Sequence, residues 1–126
     1  MNARTIALYF ILGLLSLNFV LGGLMAALLL DPFRTNLTVM HYAPAFMVFL
    51  GLIEALCGIG IWMPRFRNLA LLTLLLIMAG AIGSHIANGQ PIASIGIAAA
   101  VSALILMAAW LSNGSALGHF LMGNRV

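Results

Sequence analysis

From Thr5 to Leu30 the chain runs 26 residues without a charged side chain. Three further apolar stretches follow, Tyr42–Met63, Asn68–Ala87 and Ile92–Leu111. A helix needs about 20 apolar residues to cross a hydrocarbon core, so all four are long enough. Backbone groups inside lipid must satisfy their hydrogen bonds within the segment, which selects helices over open strands. The connections between stretches are short, so sequential neighbours should pack antiparallel. The expected fold is all-α: an integral membrane four-helix bundle with spans at about 5–30, 42–63, 68–87 and 92–111. Residues 1–111 form one domain, followed by a short tail at 112–126.

Composition closes off the soluble alternative. Of 126 residues, 64% are hydrophobic and 6% charged, with five arginine or lysine residues in total. Soluble domains carry about a quarter of their residues as charges. The first stretch has the leading arginine of a signal peptide, but it far exceeds the roughly 7–15 apolar residues of a signal core. It is expected to remain as a span.

Local breakers account for the boundaries. Asp31-Pro32 should end the first helix, because proline disfavours the α region at the preceding residue. Pro44 sits near the start of the second helix, where a missing N–H is harmless. Pro64 should close the second helix, and Asn88-Gly89-Gln90-Pro91 makes the turn into the fourth.

Arginine placement gives an orientation. With four spans, Arg4, Arg65, Arg67 and Arg125 share one side, and Arg34 stands on the other near Asp31. Cytoplasmic loops are enriched in Lys and Arg, so both termini should be cytoplasmic, N-in and C-in, in a membrane such as the bacterial inner membrane. Five arginines do not make a nucleic-acid-binding surface. Trp62 and Trp110 at one interface and Tyr42 at the other fit aromatic anchoring.

The polar residues inside the apolar stretches carry the functional argument. Glu54 falls mid-way along the second stretch, where a carboxylate is costly without a partner or a task. At about 1.5 Å per residue, Asn18, Ser16 and Ser102 come near its depth, giving an expected intramembrane cluster of four. Without a charge partner, burial favours the neutral acid, a hydrogen-bond donor. His85 falls about 12 Å further toward the non-cytoplasmic side on ideal helices. It is expected in a separate outer layer with His41, Arg34 and Gln90, and with Ser94 nearby.

Other chemistry is thinly supplied. Cys57 is alone, so no internal disulfide is possible, and it reads as a buried inert thiol. No HxxxH or ExxH spacing occurs, so no metal site is expected. No nucleophile–base pair, phosphate loop or c-type haem motif appears, so independent catalysis is not expected. Small residues recur at Gly51, Ala55 and Gly58, at Ala79, Gly83 and Ala87, and at Ser94, Ala98 and Ser102. That spacing lets helices approach closely in lipid. Residues Ala116–Met122 form an apolar patch in the tail, around His119, too short to span.

The run Gly51-Leu52-Ile53-Glu54-Ala55-Leu56-Cys57-Gly58-Ile59-Gly60, then Pro64-Arg65, then Ile77-Met78-Ala79-Gly80-Ala81 and His85, resembles the DoxX-like membrane proteins. The resemblance covers about residues 5–111. It implies a small four-helix protein with a Gly-x-x-Glu element in the second helix and a histidine late in the third. It further implies association with thiosulfate–quinone oxidoreduction or other membrane oxidoreductase complexes, or, in a distant animal branch, with receptor-channel assembly. Relatives often carry a lysine after the first-helix glycines, whereas this chain has Gly22-Gly23-Leu24-Met25. An ion pair from there to Glu54 is therefore unavailable.

Three functions stay open. The chain is first expected to be an accessory or assembly subunit of a larger membrane complex, quinone-linked if redox-active, held by other subunits or by self-association in the bilayer. A small proton-coupled transporter using Glu54 is the second. An autonomous quinone-binding oxidoreductase, with quinone as its cofactor, is the third.

Overall fold

The computed structural model describes residues 2–31, 34, 35, 38 and 41–121, and their side chains except those of 114–121. Its described residues form four helices: α1 (Ala3–Ala27), α2 (Pro44–Gly60), α3 (Arg67–Ala87) and α4 (Ile92–Leu121). No strand occurs among them. Helices α1, α3 and the Ile92–Asn113 part of α4 are long and apolar enough to cross a membrane; α2 is apolar but shorter. The protein is an all-helical integral membrane protein with its helices packed as a bundle.

The termini of the helices follow local chemistry. Asn2 caps α1, its side-chain oxygen accepting from the Thr5 amide and the Thr5 hydroxyl, both at 2.9 Å. α1 ends before Asp31, in a Schellman turn: the Leu29 amide reaches the Ala26 carbonyl at 3.1 Å and the Leu30 amide reaches Met25 at 2.9 Å. Leu29 takes the left-handed conformation that this turn requires, φ 55°. Pro32 lies outside the described residues. α3 ends in the same turn with Gly89 at φ 64°, the Gln90 amide bonding the His85 carbonyl at 2.9 Å.

Helix α2 is shorter at both ends than the apolar stretch that encodes it. Pro44 is its first residue. After Gly60 the backbone proceeds by tight turns, Trp62 to Ile59 at 3.2 Å and Met63 to Gly60 at 3.1 Å, so the helix has ended before Pro64. In the other direction, α4 continues past Leu111 to Leu121, with a kink at Asn113 (φ −118°, ψ 20°). The tail patch thus lies largely on helical backbone, its side chains outside the description.

Two hairpins make up the bundle. α1 and α2 are the most closely packed pair and α3 with α4 the next; α1 meets α4 and α2 meets α3 less closely. The hairpins share their core at the end that carries Arg4. There Leu12, Leu15, Phe19, Ile61, Leu71, Leu74 and Ile105 are buried to 2% exposure or less.

Polar ties reinforce the same end. Arg67 is buried, its Nε donating to the Ile61 carbonyl at 2.7 Å and a terminal nitrogen to the Ser112 hydroxyl at 3.3 Å. The side chains of Asn68 and Asn113 exchange amide hydrogen bonds at 3.0 and 2.6 Å. Arg4 donates to the Leu111 and Trp110 carbonyls, just before the α4 kink, at 3.0 and 3.3 Å. Trp62 stacks on Tyr9 with ring centroids 6.1 Å apart. Of these ties, that of Arg67 lowers the cost of a buried polar group by pairing it.

Candidate functional site

Away from the shared core the hairpins part, and a cavity of about 650 Å³ opens between them. All four helices line it. Asn18, Gly22 and Ala26 come from α1; Met47, Leu50, Ile53 and Glu54 from α2; Thr73, Ile77, Gly80, Ser84 and His85 from α3; Ser94, Ala98 and Val101 from α4. Tyr42, just before α2, lines it as well. Its volume falls in the range of about 300–1,000 Å³ typical of ligand pockets, and its mainly apolar lining with a few polar groups is also typical.

Glycines set the register that exposes Glu54 to this space. A Cβ on Gly23 would stand 2.5 Å from the Gly51 carbonyl oxygen and 2.7 Å from the Ala55 amide. A Cβ on Gly58 would meet a Val20 methyl at 2.9 Å. The small face Gly51, Ala55 and Gly58 is therefore consumed against α1. Glu54 is turned off that face and lines the cavity, half-buried.

This register distributes the expected cluster. Gly22 and Gly23, rather than Ser16 and Asn18, stand at the level of Glu54. Asn18 still lines the cavity, toward the shared core, but Ser16 and Ser102 do not. The Ser102 hydroxyl bonds the Ala98 carbonyl of its own helix at 2.9 Å. Depth matching alone missed this because it set the ends of α1 and α2 at one level, whereas the contacts of Gly23 with Gly51 and of Val20 with Gly58 offset the two helices along their axes. A shift of a few residues at about 1.5 Å each is enough to separate side chains.

His85 lines the same cavity as Glu54. Counted from Thr73 of α3 beside Cys57 of α2, the two stand about 14 Å apart along the helix axes, yet one continuous space reaches both. The Nδ1 atom of His85 is buried with no hydrogen-bond partner among the described residues. Of the other expected outer residues, Ser94 lines the cavity too, and the rest are elsewhere. Arg34 is exposed and lines a separate hollow with Thr38 and Tyr42. His41 is exposed with φ 59°, and Gln90 meets His85 through its backbone amide.

Ser84, Phe46 and Thr73 enter without having been marked in the sequence, and Tyr42 takes a new role. Tyr42 donates a hydrogen bond to the Ser84 hydroxyl, tying the segment just before α2 to α3 at the outer end of the cavity. Phe46 packs edge-on to the Tyr42 ring at 5.4 Å. Thr73 lines the inner end, its hydroxyl donating to the Leu69 carbonyl at 2.8 Å beside Cys57. Ser84 could have been suspected as the immediate neighbour of His85; Tyr42 read only as an interface anchor.

The arrangement is an apolar chamber with a carboxyl deep inside and an imidazole, a phenol and hydroxyls nearer its outer end. It can hold an elongated, largely apolar molecule and meet its polar atoms at two depths. Among the described residues no three His, Cys, Asp or Glu side chains converge as metal ligands do.

No curated protein and no solved structure matches this chain. A sequence model of the DoxX-like family matches residues 10–118, a span that includes Glu54, His85 and every other residue lining the cavity. The chain belongs to the DoxX-like family.

Proposed function

We propose that the protein is a ligand-holding accessory subunit of a redox-linked membrane complex, keeping a quinone-type carrier in the cavity between its hairpins. The observation that supports this is the meeting of Glu54 and His85 on one apolar cavity of about 650 Å³. The residues present fit such a group. Leu50, Ile53, Ile77 and Val101 supply walls for a ring and its tail. Tyr42, His85 and the Glu54 carboxyl supply hydrogen-bonding atoms for carbonyl oxygens.

A bound quinone contributes reversible uptake of two electrons and two protons. The chain's own residues bind and orient it, keep water from the deep end, and hold protons at the Glu54 carboxyl and the His85 imidazole. Electrons come from a partner subunit. Ala79, Gly83 and Ala87 leave an exposed small-residue edge on α3 that a partner helix can approach closely. Arginine placement orients the Arg4 end toward the cytoplasm, in a bacterial inner membrane.

The joining of Glu54 and His85 in one space also favours a second reading, a proton-coupled carrier. The fully packed core beneath the cavity closes it toward the Arg4 end, so transport would need the hairpins to reopen there.

Purification from the native membrane in mild detergent tests both. Stoichiometric recovery of redox subunits and extractable quinone is expected. Glu54→Gln and His85→Ala should each lower quinone retention about tenfold, the weight of one buried hydrogen bond. Recovery as a bare homo-oligomer without any lipid-soluble ligand would overturn the subunit reading. Glu54-dependent, proton-driven uptake in vesicles would establish the carrier.

A further inference from the structure

We propose that the cavity takes its ligand sideways from the bilayer, between α2 and α3, and that the bound molecule leaves an apolar tail in that gap. This rests on the reading of the cavity as a ligand site and specifies the ligand as a membrane-dissolved amphiphile with a polar head and a long apolar tail.

The route follows from where the cavity is closed. Toward the Arg4 end it meets Phe19 and the rest of the fully buried core, which leaves no way in. Of the neighbouring helix pairs, α2 and α3 are the least closely packed. Their gap is framed rather than filled. At the inner end Thr73 of α3 stands beside Cys57 of α2, and a Cβ on Gly60 would touch that of Ala70 at 3.6 Å. At the outer end the Tyr42–Ser84 hydrogen bond ties the segment just before α2 to α3. Thr73 and Ser84 are eleven residues apart, so the frame is about 16 Å tall.

Between those two ties the lining residues face outward as well as inward. Leu76 lines the cavity and is 65% exposed; Phe46, across the gap on α2, lines it and is 46% exposed. Both lie on stretches that the bilayer surrounds, so the cavity communicates with hydrocarbon rather than with water. Gly80 is the residue at the centre of the opening. It lines the cavity, it is exposed, and a Cβ added to it would meet nothing within 4 Å. A glycine inside a helix is less stable than alanine would be. Here no close backbone contact requires it, in contrast to Gly23 and Gly51. The space it leaves is the width of the passage.

The polar groups then define the bound pose. The head lies inside the chamber, reaching Glu54 or His85, and the tail passes Gly80 between Phe46 and Leu76 into the lipid. A water-soluble ligand would have no use for such a side opening.

The test compares two quinones of the same ring, one with a ten-carbon tail and one without, binding to the full chain in phospholipid nanodiscs. Gly80→Leu places a side chain across the passage, its Cβ meeting nothing within 4 Å. Gly96→Leu is the control: Gly96 of α4 is also open, with nothing within 4 Å, but it does not line the cavity. Melting temperature in the nanodisc is measured for each variant and should not fall. Gly80→Leu is expected to weaken the tailed quinone at least tenfold and the tail-less ring less than threefold, with Gly96→Leu leaving both unchanged. Equal affinity of Gly80→Leu and wild type for the tailed quinone overturns the side passage and leaves the cavity reading intact. Equal loss of both quinones also overturns it, because the ring itself would then sit in the gap. Failure of the wild type to bind either ring overturns the cavity reading on which the inference rests.

Discussion

Gly23 of α1 and Gly51 of α2 meet backbone to backbone: a Cβ on either would stand 2.5 Å from the carbonyl oxygen of the other. This one approach sets the register of the first hairpin. It also explains the Gly-x-x-Glu element in physical terms. The glycine seats α2 against α1, and three residues later Glu54 is turned into the cavity.

Gly51→Ala and Gly23→Ala should each destabilise the bundle by about 2–3 kcal/mol, since overpacking against backbone has no cheap relief. Gly80→Ala and Gly83→Ala, where no atom lies within 4 Å, should be neutral or stabilise by about 0.5–1 kcal/mol. Reversible unfolding in mixed detergent micelles separates the two groups. Equal effects at all four sites would refute the register.

Leu29 holds the left-handed position of a Schellman turn that usually belongs to glycine. An L-residue with a Cβ costs roughly 1–2 kcal/mol there. Leu29→Gly is therefore expected to raise stability by about 1 kcal/mol, less whatever packing the side chain provides. Gly89→Ala at the equivalent turn of α3 should lower it by a similar amount. Paired melting curves of the two variants check the sign.

Arg67 acts as a clamp inside the Arg4 end of the bundle, 7% exposed. Arg67→Met would leave the Ile61 carbonyl without its donor and cost about 2–3 kcal/mol. Arg67→Lys should recover less than half of that, because one ammonium cannot reproduce a guanidinium fork bonded to two elements. Full rescue by lysine would mean that charge, not geometry, is what matters at this site.

Orientation can be read by labelling. In a Cys57→Ala background, single cysteines at Arg65 and Gln90 should react with a membrane-impermeant maleimide from opposite sides, Arg65 from the cytoplasm. Labelling of both from one side would contradict the four-span arrangement, and Arg65 labelled only from outside would invert it. Because Arg67 is buried, Arg67→Met should change stability more than orientation, leaving Arg4 and Arg65 to hold the topology.

The four helices were legible in the sequence because length, apolarity and breaker residues are local properties. The last turn of α1 was not, since Leu28, Leu29 and Leu30 are as apolar as the helix they terminate and only backbone dihedrals mark the stop. Nor was the end of α2, where the chain leaves the helix four residues before Pro64. These small shifts matter in lipid, where side-chain neighbours are chosen by register along the helix.

Glu54 and His85 could be picked out singly from the sequence, as polar groups in stretches that otherwise exclude them. Their relation could not. Ideal helices put them at different depths, and so they remain. What unites them is a cavity, and a cavity is a property of how hairpins diverge. That divergence is decided by where side chains pack fully, at Leu12, Phe19, Leu74 and Ile105, and by where the backbones touch, at Gly23 and Gly51. The sequence by itself determined the class, the helices and the candidate polar residues. Tertiary packing alone decided which helix faces were consumed and which were left open to a ligand, because contact distance depends on all four helices at once.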